Sequence, residues 1–474
     1  MAANACMYSP VRRFLMASKQ VSFVHALVVF IGLFALIALG MFALEQLLHV
    51  VLFLAVIWVA CNAWLLGFKY ETLREMMSAA INKALPAFYI FLLIGLVIAA
   101  LMKSGTVASL IYYGLDWLSP QWFLPVGFVL CALMSLLTGT SWGTVGTLGV
   151  VFMGIGVALE LPLHWVAGMI VSGATFGDKM SPISDTTNLA AMSSGTDLYA
   201  HIKSMLLTTI PTFMLVLGIF TVVGLGFQVS ASSVQQVQNI QTALADAFTL
   251  NPLITIWPVA VMVVLSYKKV APEISMTACV LVAAVIAWLF QHQTGLQLAH
   301  AMWSNSKADT GIEHLDDLLG RGGLFSMAWT LLLAFIAIAL GGLLQGAGFI
   351  SALLGGVIQA IKSTAGLIAT TIGTGFLTVA ALSEAYIAIM LNSELYKKAY
   401  HDRGIDSSVL SRSVEEGVTL LVALIPWSVA GAFYSGTLGI SVIEYAPFAL
   451  FNILNPLVAI LFAYLGVAVI KVKN

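Results

Sequence analysis

The sequence predicts an all-α integral membrane protein, built as an inverted repeat with two re-entrant hairpins and two broken helices and about 10–12 transmembrane spans. Three observations carry that expectation. The 474-residue chain is 60% hydrophobic and 9% charged and has a mean hydropathy of +1.01, whereas soluble domains are roughly 45–50% apolar. Apolar runs of about 20 residues, the length that crosses a hydrocarbon layer as a helix, recur along it. Two long stretches resemble one another while their flanking charges lie on opposite sides. No alternating pattern of about ten residues per strand is present, which argues against a β-barrel.

The runs "HALVVFIGLFALIALGMFAL" (25–44) and "HVVLFLAVIWVACNAWLLGF" (49–68) read as the first two spans. The first is too long for the apolar core of a signal peptide and lacks a small-x-small cleavage pattern behind it, so it is read as a retained span. Under the positive-inside rule, Arg12, Arg13, Lys19, Lys69, Arg74, Lys83, Lys268, Lys269, Lys397, Lys398, Arg403, Arg412, Lys471 and Lys473 are cytoplasmic, and both termini with them. The stretch 228–250 has no Lys or Arg and 292–323 is net acidic, so both face outward, with Lys307 and Arg321 as exceptions. These sides force odd numbers of crossings, in opposite senses, over the two similar stretches.

The resulting division is a two-span segment at 1–83, a first inverted repeat at 84–227, external loops with two linking spans at 228–323, and a second inverted repeat at 324–474. "LMKSGTVASLI" (101–111) parallels "LLQGAGFISALL" (343–354), and "SLLTGTSWGTVGTLGVVF" (135–152) parallels "GFLTVAALSEAYIAIML" (375–391). In each half two apolar pieces look too short to span. They are 122–137 and 145–158 around "TGTSWGT", and 366–382 and 385–395 around "SEAY", and each pair is read as a re-entrant hairpin.

The segment "GDKMSPISDTTN" (177–188) follows an apolar piece too short to cross alone, and Gly177 and Pro182 interrupt its helix. Open backbone at membrane depth survives only inside protein or beside a wet cavity. An Asp or Lys at a helix centre there costs roughly 2.5–3.5 kcal/mol on insertion scales. The plain reading of Asp178, Lys179 and Asp185 is a buried structural pair, Asp178 with Lys179 or Lys179 with Asp185. The sharper reading is a cation site, because carboxylates with Ser, Thr and Asn oxygens and freed carbonyls are the hard ligands an alkali ion takes. A carboxylate of that kind holds Na⁺ or H⁺ but not both, which is sufficient for exchange. Thr140, Ser141 and Thr144 lie at the tip of the first hairpin and are read as supporting oxygens.

The mirrored break, "LIPWSVAGAFYSGTLGIS" (424–441), carries no charge. Glu384, at the tip of the second hairpin beside Ser383 and Tyr386, is read either as a site member or as an interfacial residue. Glu415 and Glu416 are read as a solvated helix start, so that Glu416→Gln is expected to have little effect. Trp142 and Trp427 are read as aromatic packing or solute contact, and each of the eight histidines as an interfacial or loop residue. Cys6, Cys61, Cys131 and Cys279 are scattered and without C-x-x-C, so neither a redox site nor a metal cluster is expected. No resident cofactor is expected. The net charge of −1 says little about partners, and no nucleic acid is expected among them.

"GDKMSPISDTTNLAA" followed by "GTDLYAHIK", together with "LSRSVEEG", "IPWSVAGAF" and "LGISVIEYAPFALFN", resembles the NhaC family of Na⁺/H⁺ antiporters, within the wider ion-transporter superfamily. The likeness runs from about residue 84 to the end of the chain. It implies a secondary transporter that exchanges Na⁺ or Li⁺ for H⁺ in the inner membrane of a bacterium, with a homodimer as its assembly. The family's acidic positions fall on Asp178 and Asp185, with Thr186, Thr187 and Asn188 as oxygen donors. The second half departs from the family pattern, with Glu384-Ala385-Tyr386 in place of Asp-Gln-Tyr and "WSVA" (427–430) in place of Trp-Asn-Thr-Cys. That departure keeps open a second reading, a Na⁺- or H⁺-coupled carrier of an organic acid of the malate or lactate type, or of an amino acid. In that reading Lys179 pairs with the anionic group, and Ser383, Tyr386, Trp427 and Ser428 line its pocket. An intramembrane protease fits poorly, since "FGDK" lacks the preceding glycine of Gly-x-Gly-Asp and no H-E-x-x-H helix is present. A passive channel is disfavoured by the interrupted helices.

Overall fold

A chain dissolved in hydrocarbon must satisfy every backbone N–H and C=O from within, and a helix does so segment by segment. The computed structural model describes residues 21–44, 47–227, 231–268, 270–306, 310–359, 361 and 363–472. Expectations for Cys6, Arg12, Arg13, Lys19, Lys269, Lys307 and Lys473 fall outside them. Among the described residues helices dominate, and the one strand-type pairing is an isolated bridge between Ile405 and Lys471. Nine of these helices are long and apolar enough to cross a membrane, or up to twelve if each of three bent pairs is one span.

The first part comprises α1 (Phe23–Ala38), α2 (Leu48–Leu65), α3 (Tyr70–Lys103) and α4 (Thr106–Trp117). Then come α5 (Pro120–Thr138), α6 (Ser141–Ala158), α7 (Leu163–Met180), α8 (Asp185–Ser194) and α9 (Leu198–Leu225). A connecting part holds α10 (Ala231–Ala247), α11 (Pro252–Tyr267), α12 (Pro272–Phe290), α13 (Gly295–Trp303) and α14 (Glu313–Leu319). The last part repeats α3–α9 in order. It consists of α15 (Leu324–Gly346), α16 (Phe349–Gln359), α17 (Thr364–Leu382), α18 (Ala385–His401), α19 (Ser407–Leu424), α20 (Val429–Leu438), α21 (Val442–Phe448) and α22 (Leu450–Tyr464).

The correspondence is residue by residue. Hairpin turns at Gly139 and Ser383, helix-break prolines Pro182 and Pro426, caps Ser184 and Ser428, and terminating glycines Gly195 and Gly439 are each 244 positions apart. Packing follows the same offset. A Cβ on Gly173 of α7 would lie 2.6 Å from the Phe128 carbonyl oxygen of α5, and one on Gly417 of α19 would lie 2.8 Å from Ile372 Cα of α17. Bare glycine faces let these backbones approach closely, the usual basis of helix pairing in lipid.

Two expectations change. The hairpin arms are 19, 18, 19 and 17 residues long, not the shorter pieces inferred from apolarity. A single left-handed residue reverses the chain at each tip, so the polar tip residues start the next helix instead of forming a loop. In addition, α3 is one 34-residue helix and runs through the boundary expected at residue 83, which places Lys83 mid-helix.

At the second tip the left-handed residue is Ser383, with φ of 63°, where the first tip has glycine. An L-residue pays roughly 1–2 kcal/mol there, and the Ser383 hydroxyl is buried without a hydrogen-bond partner. Ser383→Gly is therefore expected to raise stability by about 1 kcal/mol, read as an upward shift in thermal unfolding of the purified protein.

Candidate functional site

The helix α7 ends for a local reason. Pro182 has no N–H and disfavours helical backbone at the residue before it, and Ser181 is extended at φ −80°, ψ 127°. Ser184, also extended, opens α8. The freed carbonyls are recaptured by side chains. Thr187 Oγ1 donates to the Asp178 and Lys179 carbonyls at 3.3 and 3.2 Å, and Ser181 Oγ donates to Leu136 at 2.8 Å. Asn188 Nδ2 donates to the Pro182 and Ser184 carbonyls at 3.0 and 2.6 Å.

Asp178 sits where this break meets the tip of the first hairpin. One carboxylate oxygen accepts from the Ser141 backbone N–H at 3.2 Å and the Ser141 hydroxyl at 2.6 Å, and the other accepts from Ser184 Oγ at 2.6 Å. Asp178 is 8% exposed. Asp185, the first residue of α8, accepts from the Thr186 N–H at 2.8 Å through one oxygen and from the Tyr386 hydroxyl of α18 through the other. Glu384 caps α18, taking the Ile387 N–H at 2.9 Å, and is 6% exposed. The two hairpin tips and the break in α7–α8 thus converge.

They converge on a cavity of about 1020 Å³. Thr140, Ser141, Trp142, Asp178, Asp185, Thr186, Asn188, Glu384 and Tyr386 all line it. Its acidic and basic lining is four carboxylates, Asp178, Asp185, Glu273 and Glu384, and one ammonium, Lys83. Trp142 stacks on Phe433 of α20 with centroids 4.7 Å apart and meets Phe91 edge-on at 5.5 Å.

Other predicted residues are placed elsewhere. Thr144 bonds the Thr140 carbonyl at 3.1 Å, and Thr187 caps α7 as described. Trp427 donates to the Ala380 carbonyl at 2.7 Å. Ser428 caps α20, its hydroxyl accepting from the Gly431 N–H at 2.9 Å, and Ser383 forms the turn. None of these five is among the cavity-lining residues.

Lys179 is turned away from the cavity and fully buried. Its Nζ lies 4.0 Å from Glu416 Oε1, and both side chains are 0% exposed. The structural pairs expected with Asp178 or Asp185 are therefore replaced by one with the second half. Glu415 and Glu416 are correspondingly not a solvated helix start. They are enclosed because α19 packs against α8, α9, α17 and α22. Arg412 Nε is 3.9 Å from Glu416, His201 Nε2 is 3.5 Å from Glu415 Oε2, and Thr208 donates to Glu416 at 2.6 Å. His201 is likewise enclosed rather than placed in a loop, and His49, at the start of α2, bonds the Trp329 carbonyl. The available signal was the spacing of Arg412, Glu415 and Glu416, which puts all three on one helical face.

A sequence profile of the Na⁺/H⁺ antiporter family matches residues 10–187 and 173–467. The chain is 36% identical over 441 residues to the Na⁺/H⁺ antiporter NhaC of Alkalihalophilus pseudofirmus, covering 93% of this chain and 95% of that one. The chain belongs to the NhaC family of Na⁺/H⁺ antiporters. Another member, the NhaC antiporter of Bacillus subtilis, is 34% identical over 94% of this chain and 99% of its own. The malate-2H⁺/Na⁺-lactate antiporter of the same organism is 34% identical, over 86% and 87%. NhaC-family membership and the apolar helices make this a multi-pass membrane protein.

Because Thr187 holds the two carbonyls that end α7, Thr187→Val is expected to destabilise the protein by about 1–3 kcal/mol, measured as a lower unfolding temperature in detergent.

Proposed function

We propose that the protein exchanges Na⁺ or Li⁺ for H⁺, with Asp178 and Asp185 as the groups for which cation and proton compete. The observation that carries this is the convergence of three buried or cavity-facing carboxylates, Asp178, Asp185 and Glu384, on one chamber lined by both repeated halves. Hydroxyls of Thr140, Ser141 and Thr186 and the amide of Asn188 add hard oxygen ligands. The Tyr386 hydroxyl on Asp185 occupies an oxygen that cargo would otherwise take. The family supports this chemistry, and the interrupted helices support alternating access around the chamber. With the charge-rich 397–403 stretch at the end of α18 inside, both termini are cytoplasmic in this reading.

A second reading is favoured by volume. About 1020 Å³ is more room than a bare ion needs, and one relative carries malate and lactate in its name. Organic-solute coupling is therefore the alternative, although Lys179 no longer serves as the anion partner and Lys83 shares the cavity lining with four carboxylates.

Proteoliposomes with an internal pH indicator separate the two. An imposed Na⁺ gradient is expected to move protons without added solute. If protons move only with malate, lactate or an amino acid present, the solute reading replaces antiport. Asp178→Asn and Asp185→Asn are each expected to reduce exchange at least about a hundredfold while the protein inserts normally. Glu384→Gln is expected to raise the Na⁺ KM by roughly 3–10-fold without abolishing turnover.

A further inference from the structure

The two halves share a backbone plan but not a charge plan. The positions 244 residues beyond Asp178, Lys179 and Asp185 are Val422, Ala423 and Val429. The second half therefore has no carboxylate at its own break. Its charges, Arg412, Glu415 and Glu416, stand two turns earlier in α19, and they face Lys179.

Lys179 presents a problem for a cation site beside it. An ammonium on a flexible four-carbon stem, one residue from Asp178, is a tethered competitor for any cation that Asp178 binds. One residue along a helix is about 100° of rotation, which points Lys179 away from the chamber but does not by itself keep it there. What faces it is a complete set of counter-charges. Lys179 and Arg412 match Glu415 and Glu416 in number, and all four side chains are at most 1% exposed. Glu416 Oε1 gathers Lys179 at 4.0 Å, Arg412 at 3.9 Å, Thr208 Oγ1 at 2.6 Å and Asn455 Nδ2 at 3.3 Å. Arg412 is itself fixed, donating to the Ser204 carbonyl at 3.2 Å and the Ala468 carbonyl at 2.9 Å. The cluster balances without drawing on the cavity carboxylates.

We propose that Glu416 is a positioning residue that sequesters the Lys179 ammonium from the Asp178–Asp185 site, so that an acidic group of the second half sets the cation affinity of a site built by the first. The proposal rests on the antiport reading above. Removing Glu416 leaves two buried cations, Lys179 and Arg412, to share the single carboxylate of Glu415, so the ammonium is no longer fully paired, and Asp178 and Asp185 are the acids beside it along the chain. The ammonium then competes with Na⁺.

The test uses the full-length protein in proteoliposomes, with KM and kcat for Na⁺-driven proton flux measured separately. Glu416→Gln is expected to raise the Na⁺ KM at least about tenfold while kcat stays within about threefold. Adding Lys179→Met to that variant is expected to return KM to within about threefold of the wild-type value. Lys179→Met also removes the stability cost of an unpaired buried ammonium, so unfolding temperature is measured beside KM, and a raised KM that persists in the double variant overturns the proposal. An unchanged KM in Glu416→Gln overturns it as well. Should Glu416→Gln fail to fold, the double variant decides directly, since a KM near wild type supports sequestration and loss of Na⁺ dependence like that of Asp178→Asn refutes it. Wild-type vesicles that move no protons under a Na⁺ gradient would instead remove the antiport reading beneath it.

Discussion

The hydrogen bonds that suspend Asp178 between Ser141 and Ser184 are the contacts from which the rest of the site follows. A carboxylate away from bulk water is tolerated only when its oxygens are engaged, and these two partners come from different elements. One is the tip of a helical hairpin and the other is the cap of a helix resumed after a break. Satisfying one side chain therefore fixes the relative position of α6, α7 and α8. The glycine-lined contact of α5 with α7 brings the tip near enough for this to happen. Thr187 and Asn188 then close the carbonyls that the break had opened.

Duplication of a backbone with division of labour among side chains is the second theme. Turns, prolines and capping serines repeat at one offset, because each answers a geometric demand that both halves share. Ionisable groups answer a chemical demand that only one chamber makes, and they are distributed unequally. The first half places its acids at the break, and the second places Glu384 at its hairpin tip and Arg412, Glu415 and Glu416 behind the chamber. A symmetric scaffold thus carries an asymmetric electrostatic field.

Much of this was legible in the residues. The run of apolar segments, Pro182 inside a charged motif and the paired similarity of 135–152 with 375–391 led to broken helices and hairpins, since each reflects a local backbone rule. Asp178, Asp185, Glu384 and the Thr140–Ser141 tip were also identifiable, and the fold brings them to one cavity. Hairpin arm length was misjudged, because a one-residue left-handed turn leaves almost no polar gap to read. Lys179, Glu415, Glu416 and His201 were misplaced for a different reason. Lys179 was paired with the nearest Asp in the sequence and Glu415 and Glu416 were read as solvated because the opposing surface is not known from sequence, and the Lys179–Glu416 and His201–Glu415 pairs join residues more than 200 positions apart.

The final residues of the described chain are structural participants rather than a trailing end. Ala468 offers its carbonyl to Arg412, the Asp406 N–H bonds the Ile470 carbonyl at 2.9 Å, and the Val472 N–H bonds the Gly404 carbonyl at 3.0 Å. This short segment acts as a strap drawn across the entrance to α19. Trimming back to residue 467, or straining the strap with a closely fused tag, would take a ligand from the guanidinium that steadies the inner charges. A spacer beyond residue 472 leaves those bonds intact, which makes it the sounder design for purification and labelling of this transporter.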